Sequence, residues 1–503
     1  MSIPKPTSAR AVAAVLAALM VMALFSPVEA RQLTLQQALE MALGRTTRGE
    51  MIEGNYEVAR QLYSARRINM YLPEISINGS VPSYRKSTAY QPFRNPLDRQ
   101  PFRSSALDFN SFIELKQTLV TGGNLTATAD LVSEDEEYPD TRYDPEDGIF
   151  VDQTSKQGSF RFTLEQPLFR PSSVRNELNN KKDDLAIAEV TRLEETANLK
   201  QEVVEAFLGY FQQALKVEMA TDNLRKAQLQ EAIDSMKYQD EVLSEEDFLL
   251  SSSSRLDAEL EKYSAETELG EKKRELAILL DWDADETFDL VEPEVGTHLD
   301  EPTKQGFINA WEIAAPIRKA ERQFAKAKRE ADFQASGNGL TGDLNASYSF
   351  GQQKIETDKV VDEDGIGGLQ EEDINTNAWT LAIEFKLPLW DGGAGKASVQ
   401  AAQYQAEQAR YELTRAQRSA RATIVNLINQ LDVSYQRMGI IKKQIELAEN
   451  RLEIAKGRYD DGRISELTLL ETRVSLLETR DKYLEEMKAY FLNRIDLESQ
   501  YLD

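Results

Sequence analysis

The chain has 503 residues, with 85 acidic and 59 basic side chains, one histidine, no cysteine and a formal net charge of −26. Without cysteine, disulfides, zinc–thiolate sites, iron–sulfur clusters and thiol nucleophiles are excluded. The single histidine, His298, leaves no histidine cluster for a metal and makes a Ser-His-Asp hydrolase improbable. The acidic balance opposes binding to phosphates. The sequence therefore predicts no enzyme, no cofactor, no metal and no nucleic-acid partner.

The first thirty residues have the pattern of a secretory signal peptide. Lys5 and Arg10 precede an apolar run from Ala11 to Phe25, and Val28 and Ala30 place small residues at the positions that a signal peptidase reads. The run is short for a membrane span, and a retained signal anchor is the alternative. Residues 1–30 are therefore predicted to be a signal peptide of an exported protein.

Two long stretches without proline predict long helices. They run from Ser172 to Glu292 and from Leu389 to Asp503, and they are rich in Glu, Lys, Ala and Leu. In the second stretch, apolar and small residues between Ala402 and Tyr459 follow a heptad repeat with one stutter, which is typical of coiled-coil packing. The period breaks near 240–244 and 460–463, which predicts two helical hairpins. Their predicted ranges are 172–282 and 394–500.

Between and before these stretches the hydrophobic period changes to two. Trp379, Leu381, Ile383 and Phe385, for example, alternate with polar or small residues. Such segments are typical of transmembrane β-barrel strands, and a soluble antiparallel sheet is the alternative, since it has the same alternation. The predicted strand regions are 74–168, with candidate strands at 74–82, 108–119, 124–133 and 158–167, and 343–388.

The chain repeats its own pattern at an offset of 221 residues. The segment Gln166–Phe169 aligns with Leu387–Trp390 at the end of the strands, and Tyr238 aligns with Tyr459 before the helical turn. Each half therefore has the order helix, strands, long helical hairpin, which predicts an internal two-fold structural repeat. The predicted repeats are 31–292 and 293–503, the second beginning with a helix at 303–334.

The order of short motifs along the chain resembles the outer membrane efflux protein family, the TolC-type channels. The resemblance covers the chain from about Leu33 to Leu502. The motifs are Leu33–Leu39, Leu72–Ile75, Gln166–Phe169, Leu387–Gly393 and Tyr459–Ser465. A typical member of the family has two strands in each half, whereas the first half here has four candidates. The number of barrel strands is therefore open at the level of sequence.

The resemblance implies an α+β membrane protein that forms a homotrimer. Its transmembrane β-barrel would lie in outer-membrane lipid and would be continued through the periplasm by a long α-helical coiled-coil barrel. The expected location is the outer membrane of a didermic bacterium. The expected function is that of a passive exit duct in a tripartite efflux or type I secretion system. The expected partners are a periplasmic adaptor (membrane fusion) protein and an inner-membrane transporter.

The resemblance also implies a gate and a docking surface at the periplasmic tip, around the two helical turns. Ordinary solvated acids and plain helix–helix turns are the alternatives. The gate candidates are Asp247, Tyr459, Arg463, Thr468 and Glu471, with Glu471 as the expected ring charge. The candidates for the adaptor-docking tip are Val242, Leu243, Ser244, Gly462, Arg463, Ile464 and Ser465.

A function of another class also fits a long coiled coil with a small sheet. The chain could be an exported, non-conducting structural or adhesive stalk. Interfacial aromatics flanking apolar strand faces favour the channel. The suitably placed aromatics are Phe160, Phe169, Tyr348, Phe350, Trp379 and Trp390.

Overall fold

The computed structural model describes residues 31–80, 82–93, 95–139, 150–283, 288–295, 298–359 and 368–501. The predicted signal peptide, 1–30, lies outside the described residues. The chain divides into two units. The helical unit contains the chain up to Glu53, Arg192–Trp311 and the chain from Arg421 onward, and the sheet unit contains Gly54–Thr191 and Glu312–Ala420.

The described residues include eight α-helices. They are α1 Leu35–Gly44, α2 Thr47–Tyr71, α3 Ser173–Gln239, α4 Glu245–Leu279, α5 Glu301–Asn309, α6 Ala315–Gly337, α7 Ala394–Asp460 and α8 Glu466–Ser499. Within the described ranges, no helix has a stretch long and apolar enough to cross a membrane. The two longest helices, α3 and α7, each have 67 residues and begin 221 positions apart.

The strands form one small and one large sheet. The strands are β1 Arg31–Leu33, β2 Glu74–Gly79, β3 Ser83–Phe93, β4 Asn95–Thr118, β5 Asn124–Pro139, β6 Phe150–Leu168, β7 Phe288–Leu290, β8 Thr341–Lys359 and β9 Gly368–Lys386. In the helical unit, β1 pairs in parallel with β7. In the sheet unit, the order is β2-β4-β5-β6-β8-β9, with β3 also paired to β4, and all these pairs are antiparallel.

Two stretches differ from the sequence-based expectation. The expected helix at 303–334 is two helices, α5 and α6, with a short 3₁₀ turn at Trp311–Ile313 between them. Pro316 lies in the first turn of α6, where a proline is tolerated because its missing N–H needs no partner there. In the first half, β3 is a further strand, and β4 begins well before the expected residue 108.

The core of the helical unit contains apolar side chains spaced at three and four residues. On α3, Val203, Val204, Phe207 and Leu208 are completely buried, as expected for one face of a packed helix. Buried residues on the other long helices of this unit are Leu276 and Ala277 of α4, Ile424, Leu431 and Met438 of α7, and Leu477, Leu484 and Met487 of α8. Leu431 and Met438 belong to the heptad seam that the sequence predicts.

Helix α7 ends in a Schellman motif. The N–H of Gly462 donates to the carbonyl of Tyr459 at 2.8 Å, and the N–H of Arg463 donates to the carbonyl of Arg458 at 2.8 Å. This motif needs a residue with positive φ just after the helix. Gly462 has φ 70° and therefore takes the required conformation without a steric penalty.

Helix α3 ends in the same motif but with Glu241, at φ 58°, in the glycine position. A side chain in this conformation costs about 1–2 kcal/mol. We expect Glu241→Gly to raise the midpoint temperature of helix unfolding and Gly462→Ala, the matched change in α7, to lower it. Heat scans by circular dichroism measure both midpoints. A lower midpoint for Glu241→Gly would contradict the prediction.

Candidate gating and docking site

Two short turns close the helical hairpins of the helical unit, one between α3 and α4 and one between α7 and α8. In each turn a serine caps the following helix. The Ser244 Oγ accepts from the Asp247 N–H at 3.1 Å, and the Ser465 Oγ accepts from the Thr468 N–H at 3.3 Å. These bonds satisfy amides that have no partner within their own helix, so each turn has a defined geometry.

The predicted docking residues lie in these turns and differ in exposure. Val242 is 75% exposed, whereas Leu243 and Ile464 are half-buried. The exposed polar members and glycine are Ser244, Gly462, Arg463 and Ser465. Val242 is therefore the apolar side chain of the predicted set that is most available to another molecule.

Two of the predicted gate residues, Asp247 and Thr468, form hydrogen bonds within their own turns. The Asp247 carboxylate accepts from the Ser244 hydroxyl at 2.7 Å, and the Thr468 hydroxyl lies 3.1 Å from the Ser465 hydroxyl. Asp247 and Thr468 thus bind the serine that caps their own helix.

The remaining gate candidates lie on α7, in the second turn and on α8. Tyr459 is 38% exposed at the end of α7. Arg463 lies 3.5 Å from the Asp461 carboxylate and is largely exposed. The Glu471 carboxylate lies 3.8 Å from the Lys226 ammonium of α3. Glu471 is thus partly neutralised within its own chain.

Three basic residues that the sequence analysis did not single out connect α3 to α8 near these turns. Arg225 lies 2.9 Å from Glu466, and Lys226 forms the contact with Glu471. Arg473 of α8 lies 3.2 Å from Asp222 and 3.7 Å from Glu218. The partners are more than two hundred residues apart in the chain, so no local sequence signal could have paired them.

The ion pair between Arg473 and Asp222 is the most protected of these contacts, since the Asp222 side chain is 7% exposed. Burial raises the pKa of the Asp222 carboxyl above its ordinary value, Arg473 opposes this shift, and Glu218 adds to it. The charged form of Asp222 therefore depends on Arg473 for its stabilisation.

We expect Arg473→Met to lower the free energy of unfolding of the helical unit by about 1–3 kcal/mol near neutral pH, because it leaves a buried carboxylate unpaired. The same change raises the pKa of Asp222 further. The loss of unfolding free energy should therefore become smaller as the pH falls through that pKa, because the carboxyl becomes neutral. Urea unfolding followed by circular dichroism at several pH values measures this dependence.

Arg480→Met is the matched control on the same helix. Arg480 lies 2.7 Å from Glu449, but both side chains are nearly half exposed, and an exposed pair contributes less than about 1 kcal/mol. An equal, pH-independent loss of unfolding free energy in both variants would show that leaving the buried Asp222 carboxylate unpaired has no additional cost.

The large sheet has one apolar and one polar face. Cross-strand partners point to the same face, and Phe162 of β6 pairs with Tyr348 of β8, which pairs with Trp379 of β9. Trp379 is 76% exposed and Phe385 is 77% exposed. Such a large exposed apolar face is unusual for a water-soluble monomer and marks a surface that contacts lipid or protein.

Comparison with known proteins agrees with this arrangement. Residues 316–499 match the family described as Outer membrane efflux protein. The outer membrane protein TolC of Escherichia coli is 25% identical over 159 residues, which cover 32% of this chain and 32% of TolC. The resemblance to the outer membrane efflux protein family is confirmed. The outer-membrane location that the sequence predicts is confirmed by the same matches.

A second curated relative and a solved structure extend this finding. Nodulation protein T of Rhizobium leguminosarum bv. trifolii is 30% identical over 118 residues, 22% of this chain and 24% of that protein. The matched segments thus span about a third or less of these curated relatives. The Campylobacter jejuni CmeC outer membrane channel is 13% identical, with a TM-score of 0.55 over 93% of this chain and 85% of CmeC. At this identity the likeness shows a shared fold of helices and sheet.

The description of this family, Outer membrane efflux protein, refers to transport and not to an enzymatic reaction. Among the described residues, no group of three or more histidine, aspartate and glutamate side chains is arranged to hold a metal ion.

Proposed function

We propose that three copies of this chain form a passive exit duct across the outer membrane and the periplasm. The apolar face of the large sheet, in a chain that resembles outer membrane efflux proteins, is the observation that carries the proposal. In lipid, every backbone polar group needs a partner, so a sheet can cross the bilayer only as a closed barrel. The apolar face would contact lipid, and the polar face would line the lumen.

The helical hairpins supply the second part of the duct. At 1.5 Å per residue, a helix of 67 residues is about 100 Å long. The paired α3–α4 and α7–α8 hairpins of three copies would surround a tunnel, with the turns at its periplasmic end. The corresponding positions of the helices in the two halves support an internal repeat as the origin of this arrangement.

The proposed duct opens when an adaptor and an inner-membrane transporter dock at its tip. The exposed Val242 and the exposed residues of the second turn, Gly462, Arg463 and Ser465, would form the docking surface. Asp247, Tyr459, Arg463, Thr468 and Glu471 would form the gate. The transporter would supply the energy in a tripartite efflux or type I secretion system.

Single-channel recording in planar bilayers tests this function. The purified protein, without residues 1–30, should form stable trimers that conduct ions weakly while the tip is closed. A detergent-stable trimer that never conducts, with or without changes at the tip, would favour the exported structural or adhesive stalk instead.

A further inference from the structure

The strand pair β4–β5 is the feature that the internal repeat does not account for. Within the described residues, the second half contributes two strands to the large sheet, β8 and β9, whereas the first half contributes β4 and β5 in addition to β6 and to β2 and β3, which share one edge. The extra pair lies inside the large sheet. Strand β4 pairs with β5 from Ser105 to Thr118, and β5 pairs with β6 along its whole length, from Asn124 to Pro139.

The apolar face of the sheet continues across this extra pair without interruption. One row of cross-strand partners contains Ile75 of β2, Leu115 of β4, Ala127 of β5, Phe162 of β6, Tyr348 of β8 and Trp379 of β9. The next row contains Ile77, Ile113, Ala129, Phe160 and Phe350, and ends at Asn377. A strand pair folded outside a barrel wall would have no reason to keep this register.

The extra pair also preserves the strand directions that closure needs. Strands β2 and β3 follow one another along the same edge of β4, so the sheet has six strand positions of alternating direction. With an even number, β2 of one copy runs antiparallel to β9 of the next copy. Within the apolar rows, neither Glu74–Gly79 nor Trp379–Phe385 contains a proline, so both edges can donate to a ladder.

We propose that all six strand positions of each copy lie in the barrel wall, so that the trimer has an eighteen-stranded barrel. This inference rests on the proposed trimeric duct. With strands about 4.8 Å apart and tilted by about 40°, eighteen strands give a barrel about 36 Å across, against about 24 Å for twelve. The extra pair thus widens the membrane pore by about half.

The chain has no cysteine, so single cysteines can carry a spin label at chosen positions. Accessibility to oxygen reports lipid, and accessibility to a water-soluble nickel complex reports the lumen. The test uses neighbouring residues on opposite faces of the extra pair, made as separate single variants in the trimer in lipid bilayers. The variants are Ile113→Cys and Glu114→Cys on β4, and Ala127→Cys and Thr128→Cys on β5.

Leu381→Cys and Thr380→Cys on β9 are the reference pair, since β9 belongs to the strands that both halves share. We expect the ratio of oxygen accessibility to nickel accessibility to be higher at 113 than at 114, and higher at 127 than at 128. The factor should equal that by which the ratio at 381 exceeds the ratio at 380. A projection image of the trimer should show a barrel about 36 Å wide.

Two results would overturn the inference, and they are distinguishable. In the first result, the accessibility ratio alternates between 380 and 381, but both members of the other two pairs are accessible to water and the barrel is about 24 Å wide. The extra pair would then lie outside the wall, and the duct would stay intact. Loss of alternation at 380 and 381 themselves would overturn the membrane barrel, and therefore the proposed function as well.

Discussion

Replacing Asp247 and Glu471 together by alanine is expected to raise the open probability of the channel. The change removes the contact of Glu471 with Lys226 and the cap contact of Asp247 with Ser244, both of which belong to the gate proposed above. Exposed contacts of this kind are worth less than about 1 kcal/mol each, so the loss of both shifts a two-state equilibrium by less than about 30-fold. Single-channel recording of the trimer in planar bilayers measures the shift as a rise in mean conductance.

Glu449→Ala is the matched control, because Glu449, like Glu471, pairs with a basic residue of a neighbouring helix (Arg480 of α8) but lies away from the turns. Its conductance should equal that of the wild type. If the double variant also conducts like the wild type, the assignment of Asp247 and Glu471 to the gate is wrong, while the duct itself stands.

Exchanging the charges of Lys226 and Glu471 separates two roles of Glu471. If Glu471 closes the tip through its contact with Lys226, the double exchange Lys226→Glu with Glu471→Lys should restore the low conductance that Glu471→Lys alone abolishes. If Glu471 instead acts as a ring charge around the axis, three lysines would repel cations. The channel with the exchanged charges would then keep a high conductance and would prefer anions.

Phe207→Ala is expected to destabilise the helical unit more than any surface change. Phe207 is completely buried on α3, and its ring centroid lies 5.7 Å from that of Phe211. Removing a buried phenylalanine side chain costs about 3–5 kcal/mol, because the transfer free energy is lost and a cavity remains. The midpoint of urea unfolding, followed by the helical circular dichroism signal, should fall accordingly.

Phe207→Leu provides the control for this prediction. Leucine keeps the site apolar and fills most of the volume, so it should cost less than half of the loss seen with alanine. Equal midpoints for the two variants would mean that the surrounding helices close over the missing ring and that no cavity forms.

Much of the secondary structure follows from local patterns. The alternation from Trp379 to Phe385 predicts β9, and the proline-free heptads predict α7, because a period of two or of 3.6 places apolar residues on one face. Strand β3, Ser83–Phe93, was not predicted, because its residues are mostly polar and include Pro92. Its hydrogen bonds to β4, which are not encoded in any local period, make it a strand.

The candidate site also has one part that the sequence predicts and one part that it does not. The offset between Tyr238 and Tyr459 locates both helical turns, since a turn interrupts the heptad period wherever it occurs. The partners of Glu471 and Arg473 could not be read from the sequence. Lys226 and Asp222 lie on another helix, and only the packing of α3 against α8 brings them within ion-pair distance.

The long helices, their turns, the apolar alternation of most strands and the resemblance to outer membrane efflux proteins can all be read from the amino-acid sequence. Each of these depends on residues close together in the chain or on motifs in a set order. The place of β4 and β5 within the large sheet and the ion pairs between α3 and α8 are seen only in the folded chain. Both outcomes depend on contacts between distant segments, whose formation costs loop entropy and is favoured only by the packing of the whole unit.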